Sequence, residues 1–144
     1  MEDLLQKSFS ESFEQFERTV SMDNLSTLKD LNLLDEIKYV CAMPGLINVV
    51  FEDYSTLLEG RSIVCYSKCE LKTNEKLIIN NVVDKIPTCG IIFITCSENI
   101  KLSEIMAVLN NVFDKYPDMD LIYGTGYNDD LKDDEIRVFG LFAA

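Results

Sequence analysis

The chain has 144 residues, enough for one domain that buries roughly two-thirds of its unfolded surface, and it carries 25 acidic against 13 basic residues for a formal net charge of -12. That charge repels a phosphate backbone or an anionic bilayer, and no basic patch offsets it, so neither nucleic acid nor membrane is expected as a partner. Histidine is absent, which removes Ser-His and Cys-His nucleophile pairs, imidazole proton shuttling and the commonest zinc ligand.

In chain order, residues 1–20 read as an amphipathic helix with Leu5, Phe9, Phe13, Phe16 and Val20 on one face. Ser8 and Glu11 have capping-box spacing, which allows the regular helix to begin inside the segment. The expected role is packing on its own domain; docking on another chain is the alternative. After a polar break at residues 21–24, residues 25–42 read as a helix with Leu25, Leu28, Leu31, Leu33, Leu34, Ile37, Val40 and Cys41 on more than one face, so it expects neighbours on two sides. Pro44-Gly45 ends it. Residues 46–50 lead into a short helix over 51–58, closed by Gly60.

Residues 61–67 read as a strand around Ile63-Val64-Cys65-Tyr66, and residues 73–84 as a helix with Leu77, Ile78, Asn81 and Val82 in periodic positions. Pro87 separates that segment from residues 89–96, a buried strand by its apolar, β-rich run. Residues 102–116 switch to helical period through Leu102, Ile105, Met106, Leu109, Val112, Phe113 and Tyr116, with Ser103 as N-cap and Glu104 at the positive helix end. Pro117 stops this helix, residues 120–127 form another strand, and a polar loop leads into a last strand at 135–142. The helix crossover predicts parallel neighbours and the short loop an antiparallel hairpin.

The expected fold class is therefore α/β: a two-layer sandwich of a four-stranded mixed sheet with helices on one face, preceded by N-terminal helices. It divides into residues 1–24, an N-terminal amphipathic helix and turn; 25–58, a central-helix segment and connecting loop; and 59–144, an α/β domain. Five cysteines, an odd number without CxxC, read as free and mostly buried thiols. Cys65 and Cys69 fall on a strand and turn, while Cys89 and Cys96 bound the apolar run. No apolar leader or spanning run of roughly 20 residues is visible, so a soluble cytoplasmic protein is expected.

Residues 44–53, Pro-Gly-Leu-Ile-Asn-Val-Val-Phe-Glu-Asp, resemble the FtsZ family of the tubulin superfamily where its central helix hands over to the C-terminal domain. The resemblance continues in the family's order through Gly90-Ile91-Ile92-Phe93-Ile94-Thr95, Leu102-Ser103-Glu104-Ile105, Leu121-Ile122-Tyr123-Gly124-Thr125 and Asp133-Asp134-Glu135-Ile136-Arg137-Val138, spanning residues 31–144. It implies an FtsZ-like C-terminal α/β domain preceded by the end of the central helix. FtsZ-like proteins bind GTP in a glycine-rich N-terminal domain; no glycine precedes Gly45 here, and a phosphate cradle of backbone N–H groups is not expected. The family's connecting loop supplies two acids to the next subunit's nucleotide. Val50 stands where the first would be and Asp53 keeps the second, so the loop reads as chemically silenced. The family's flexible tail and terminal peptide have no counterpart after Ala144.

Two weaker motifs have structural readings. Gly124-Thr125-Gly126 follows a strand but precedes another strand, which favours strand-end glycines over a phosphate site. Asp129, Asp130, Asp133, Asp134 and Glu135 lack the EF-hand order and its central glycine, which favours a solvated loop over calcium. For Asp53 a first-turn helix acid stands beside a functional role. Together these readings predict a non-enzymatic FtsZ-like domain, without catalytic residues, cofactor or metal, that neither binds nor hydrolyses GTP. It is expected to bind an FtsZ-like filament protein, or itself, through Asn48, Val50, Glu52 and Asp53, and to cap or regulate filament assembly in cell division. The alternatives are the C-terminal part of a split or truncated cell-division GTPase, or a small-ligand-binding α/β domain unrelated to filaments.

Overall fold

A computed structural model describes the backbone of residues 2–43, 45 and 47–144, with side chains described from residue 8 onward. The expected helix stop at Pro44, the lead-in at Leu46, the helix start at Met1 and the Leu5 member of the N-terminal stripe lie outside the described residues. Helix α1 spans Glu2–Thr19, α2 Met22–Asp30, α3 Leu34–Ala42 and α4 Phe51–Leu58; β1 is Ile63–Lys72, β2 Asn80–Asn81, β3 Cys89–Cys96, α5 Leu102–Lys115, β4 Asp120–Tyr127 and β5 Glu135–Ala143.

The class is α/β with an open mixed sheet in the order β2-β1-β5-β3-β4. Strand β3 is parallel to β4, as the α5 crossover requires, and β5 runs antiparallel to both β3 and β1. Strands β4 and β5 are not neighbours, so the expected hairpin is replaced by a loop that carries the chain past β3 into the gap beside β1. The physical reason is burial. Ile91, Ile92, Phe93 and Ile94 of β3 are fully buried, which a strand achieves when both faces are covered and both edges paired.

Two cores share the sheet. On one face Ile91, Phe93, Phe139 and Leu141 pack with Phe16, Leu28, Ile37, Phe51 and Tyr54 of the N-terminal helices. On the other, Ile92, Ile94, Ile136 and Val138 pack beneath Ile105, Val108, Leu109 and Val112 of α5. The N-terminal helices thus form a third layer opposite α5, where a two-layer sandwich was expected, and β2 adds a two-residue fifth strand to the four predicted.

The helix expected over residues 25–42 is two helices, broken where Asn32 adopts a left-handed φ of 57°, a conformation asparagine tolerates better than most residues. The break turns apolar residues that would face several directions on one rod onto a single core: Leu28, Leu33, Ile37 and Val40 are all buried. The polar break before it belongs to α2, which starts at Met22 with Ser21 as N-cap, its Oγ accepting from Asn24 N–H at 3.2 Å. Buried Asn24 donates through Nδ2 to Arg61 O at 2.8 Å and accepts from Ile63 N–H at 3.3 Å, standing in for a strand neighbour at the entry to β1.

Residues 73–84 are not helical: the segment is irregular apart from β2. Its run of isoleucine, asparagine and valine has poor helix propensity. Leu77 and Ile79 join the α5 core while Val82 joins the opposite one, and Val82 N–H bonds Val64 O at 2.8 Å. Ser8 and Glu11 lie inside α1 and begin nothing. Helix α5 is capped at Lys101, not Ser103, with Lys101 N–H reaching the Glu104 carboxylate at 3.4 Å. Strand β1 continues to Lys72, so Cys65 and Cys69 both lie within it. Among the described residues no helix is long and apolar enough to cross a membrane.

Candidate functional site

The candidate site is the described part of the connector between α3 and α4, residues 43, 45 and 47–50, with the first turn of α4. It lies across the C-terminal end of β4. Ile47 makes an isolated antiparallel bridge to Thr125, whose N–H donates to Ile47 O at 2.9 Å. The glycines on either side make this approach possible: a Cβ on Gly124 would stand 2.9 Å from Ile47 O, and one on Gly126 would overlap the Met43 side chain. A Cβ on Gly45 would overlap the Thr125 carbonyl oxygen. The Gly124-Thr125-Gly126 motif therefore serves close backbone approach.

Beyond the bridge the connector is extended, with Val50 at φ -123°, and alternate residues face opposite ways. Val49 and Phe51 are buried, whereas Asn48, Val50 and Glu52 are exposed. Val50 is 52 % accessible. Its N–H donates to Asp53 Oδ2 at 2.8 Å, and Asp53 N–H returns to Val50 O at 3.0 Å. Asp53 is thus the first-turn acid of α4, half-buried and committed to backbone, where the helix end favours a carboxylate. Of the four predicted site residues, Asn48, Val50 and Glu52 are exposed and Asp53 holds the backbone at Val50 in place.

Phe51 anchors the connector from below. Its ring centroid lies 5.1 Å from that of Phe9, 5.5 Å from Phe13 and 5.9 Å from Phe16, so three aromatic residues of α1 fix the start of α4. Aromatic pairs at such separations add stabilisation beyond simple burial. Nearby, Cys41 is pushed up to about 12, first by burial and then by the Asp53 carboxylate; Tyr54, wholly buried, is also raised well above its ordinary value by burial and by Cys41, Asp53 and Glu36. A thiol held protonated in this way is a poor nucleophile.

Between α1 and α4 runs a groove of about 820 Å³ that no sequence pattern announced. Phe9, Phe16, Cys41, Val50 and Phe51 supply its apolar lining, and Glu11, Ser12, Gln15 and Glu52 are among its polar lining. It joins residues some forty positions apart, through a packing of α1 that periodicity does not specify.

The acidic residues do not gather into a cation site: among the described residues no three potential metal ligands come together. Asp133 accepts from Ser97 Oγ at 2.8 Å, and Asp129, Asp130 and Asp134 are exposed. Buried Glu36 of α3 pairs through one carboxylate oxygen with Arg137 and, at 3.8 Å, with Lys68. Arg137 lies over the Tyr39 ring at 4.5 Å. Glu36 Oε2 and the Tyr54 hydroxyl have no hydrogen-bond partner among the described residues. The five cysteines are free, with Cys65 and Cys96 buried.

This arrangement of sheet, crossover helix and N-terminal helical layer is the fold of the tubulin and FtsZ C-terminal domain. Among solved structures, an FtsZ dimer from M. jannaschii superposes with a TM-score of 0.60 at 20% sequence identity, covering 87% of this chain and 40% of that one. A four-stranded TubZ-Bt filament superposes with a TM-score of 0.58 at 12% identity over 88% of this chain and 35% of that one. TubZ protofilaments in the GDP form, from Bacillus thuringiensis serovar israelensis, give 0.53 at 13% over 83% and 35%. The chain spans less than half the length of each of these proteins. It matches no family model and no curated protein sequence.

Proposed function

We propose that the chain is a non-enzymatic, FtsZ-like C-terminal domain that docks on an FtsZ-like filament protein and regulates its assembly. The observation that carries this reading is the connector: Asn48, Val50 and Glu52 project from a backbone held by the Ile47-Thr125 bridge and the Asp53 contact. The sequence resemblance of residues 44–53 implies that this loop corresponds to the one that FtsZ-like proteins present to the nucleotide of the next subunit. Valine at the first acidic position accepts no proton and orients no water. A docked domain of this kind occupies a filament end without promoting hydrolysis there.

The test titrates the purified chain into GTP turnover and light scattering of an FtsZ-like protein. Wild type lowers both signals, and alone it turns over no GTP. Val50→Asp, which returns a carboxylate beside Asp53, inhibits less or stimulates, since a positioned acid-base group contributes about 100-fold or more. Curves identical with and without the wild-type chain overturn the proposal. The second reading, one part of a complete cell-division GTPase, is favoured by the coverage of only 40% of the FtsZ structure; it is supported instead if a separately supplied GTP-binding domain gains turnover in the presence of this chain.

A further inference from the structure

We propose that the groove between α1 and α4 seats a basic, amphipathic segment of the partner chain. The proposal rests on the docking function above, because Val50 and Glu52 belong both to the connector surface and to the groove lining. The apolar part of the groove includes Phe9, Phe16, Val50 and Phe51. Phe51 is nearly buried by the α1 aromatic residues, whereas Val50 remains 52 % accessible, so apolar surface is still open to an incoming side chain. A groove of about 820 Å³ accepts the anchoring residues of one amphipathic segment, the mode in which a helix lays its apolar stripe into a cleft.

The charge selects the occupant. Glu11 and Glu52 line the groove, and among the described lining residues there is no lysine or arginine. The whole chain carries -12. A second copy brings the same charge and is repelled, as is an acidic peptide, a nucleotide or an anionic lipid. A segment with apolar side chains on one face and lysine or arginine beside them satisfies both parts of the groove. Its charges meet carboxylates at the rim, where complementarity governs encounter and choice of partner more than total affinity.

The test uses fluorescent synthetic helices of leucine with lysine, leucine with glutamate and leucine with glutamine, titrated against the purified chain, with amide NMR shifts to map the contact. The Leu/Lys helix binds most tightly, shifts Ser12, Gln15 and Ser55, and weakens with added salt. The double substitution Glu11→Lys, Glu52→Lys changes two exposed side chains and reduces its affinity by about tenfold or more, the combined effect of reversing two surface charges. The control Asp129→Lys, Asp130→Lys leaves binding in place. Equal affinity for all three helices, loss of binding in the control, or shifts confined to other surfaces would each overturn the inference. In the filament assay the two proposals separate. Inhibition by wild type that the double charge reversal leaves intact removes the groove and keeps the docking function; groove-mapped peptide binding without any effect on filaments removes the docking function and leaves a basic-peptide site.

Discussion

Cys41, in the last turn of α3, lies near the Asp53 carboxylate and buried Tyr54, and that group of acidic side chains gives the fold a weakness toward alkali. Burial and the Asp53 charge raise the thiol from 9.0 to about 12, and Tyr54 is raised above 10.0. The unfolded chain releases these protons at ordinary values while the folded chain retains them. Folded protein therefore binds more protons above pH 9, and stability must fall as pH rises from there. The urea midpoint is expected to hold between pH 7 and 9 and to decline above it, less steeply in Cys41→Val, where the thiols of Cys65 and Cys96, also raised by burial, still contribute; a midpoint constant to pH 11 contradicts this. Asp53 is the instructive neighbour. Its position in the first turn of α4 was legible from spacing, as was its affinity for a helix start, but its contact with the Val50 N–H required the connector's path to be known.

At the scale of elements, α1 is the piece on which the connector depends. Phe16 is 1% exposed and Phe13 only partly buried, so the two are not equivalent although both belong to the expected apolar stripe. Phe16→Ala is expected to cost about 3–5 kcal/mol in urea unfolding, the range for a buried aromatic, and Phe13→Ala distinctly less. Near-zero loss for Phe16→Ala, at the level of a surface site, would detach α1 from the core. Of the five helices and five strands among the described residues, α1, α4, α5, β1, β3, β4 and β5 were readable because each carries one clear period. The errors fall where two demands compete: residues 73–84 show helical spacing in residue types that disfavour helix, and residues 25–42 continue an apolar pattern through Asn32, whose turn lets both halves reach one core. The place of β5 between β1 and β3 was hidden because local loop length favours a hairpin while burial of β3 demands a second partner.

For the molecule as a whole, the charge of -12 is carried on a surface that must close around two cores. Self-repulsion opposes the compact state, and salt screens it over about 10 Å at 0.1 M. Raising sodium chloride from low to physiological concentration is thus expected to raise the thermal midpoint at pH 7; a lower midpoint would show that attractive pairs, such as Glu36 with Arg137, dominate the balance. The exposed connector could be inferred from resemblance in sequence, since its residues are contiguous. The groove could not, because it arises from the tertiary packing of α1 against α4, and only folding brings Glu11 and Glu52 to the same cleft.

The bridge between Ile47 and Thr125 also acts as a guard. Asp120 and Asn128 turn their N–H groups inward to Thr88 and Cys96, while Thr125 turns outward to Ile47, so by alternation Leu121 and Tyr123 also point theirs away from the sheet. One rung of the outer strand is stoppered by the chain itself, and the rungs below it are flanked by Asp118 and Asp120. Near the isoelectric point of about 4.3 the chain's net charge vanishes, and with it goes the protection against strand-to-strand aggregation. The same acidity that selects a basic visitor at one cleft keeps copies of the protein from joining at an open β-edge.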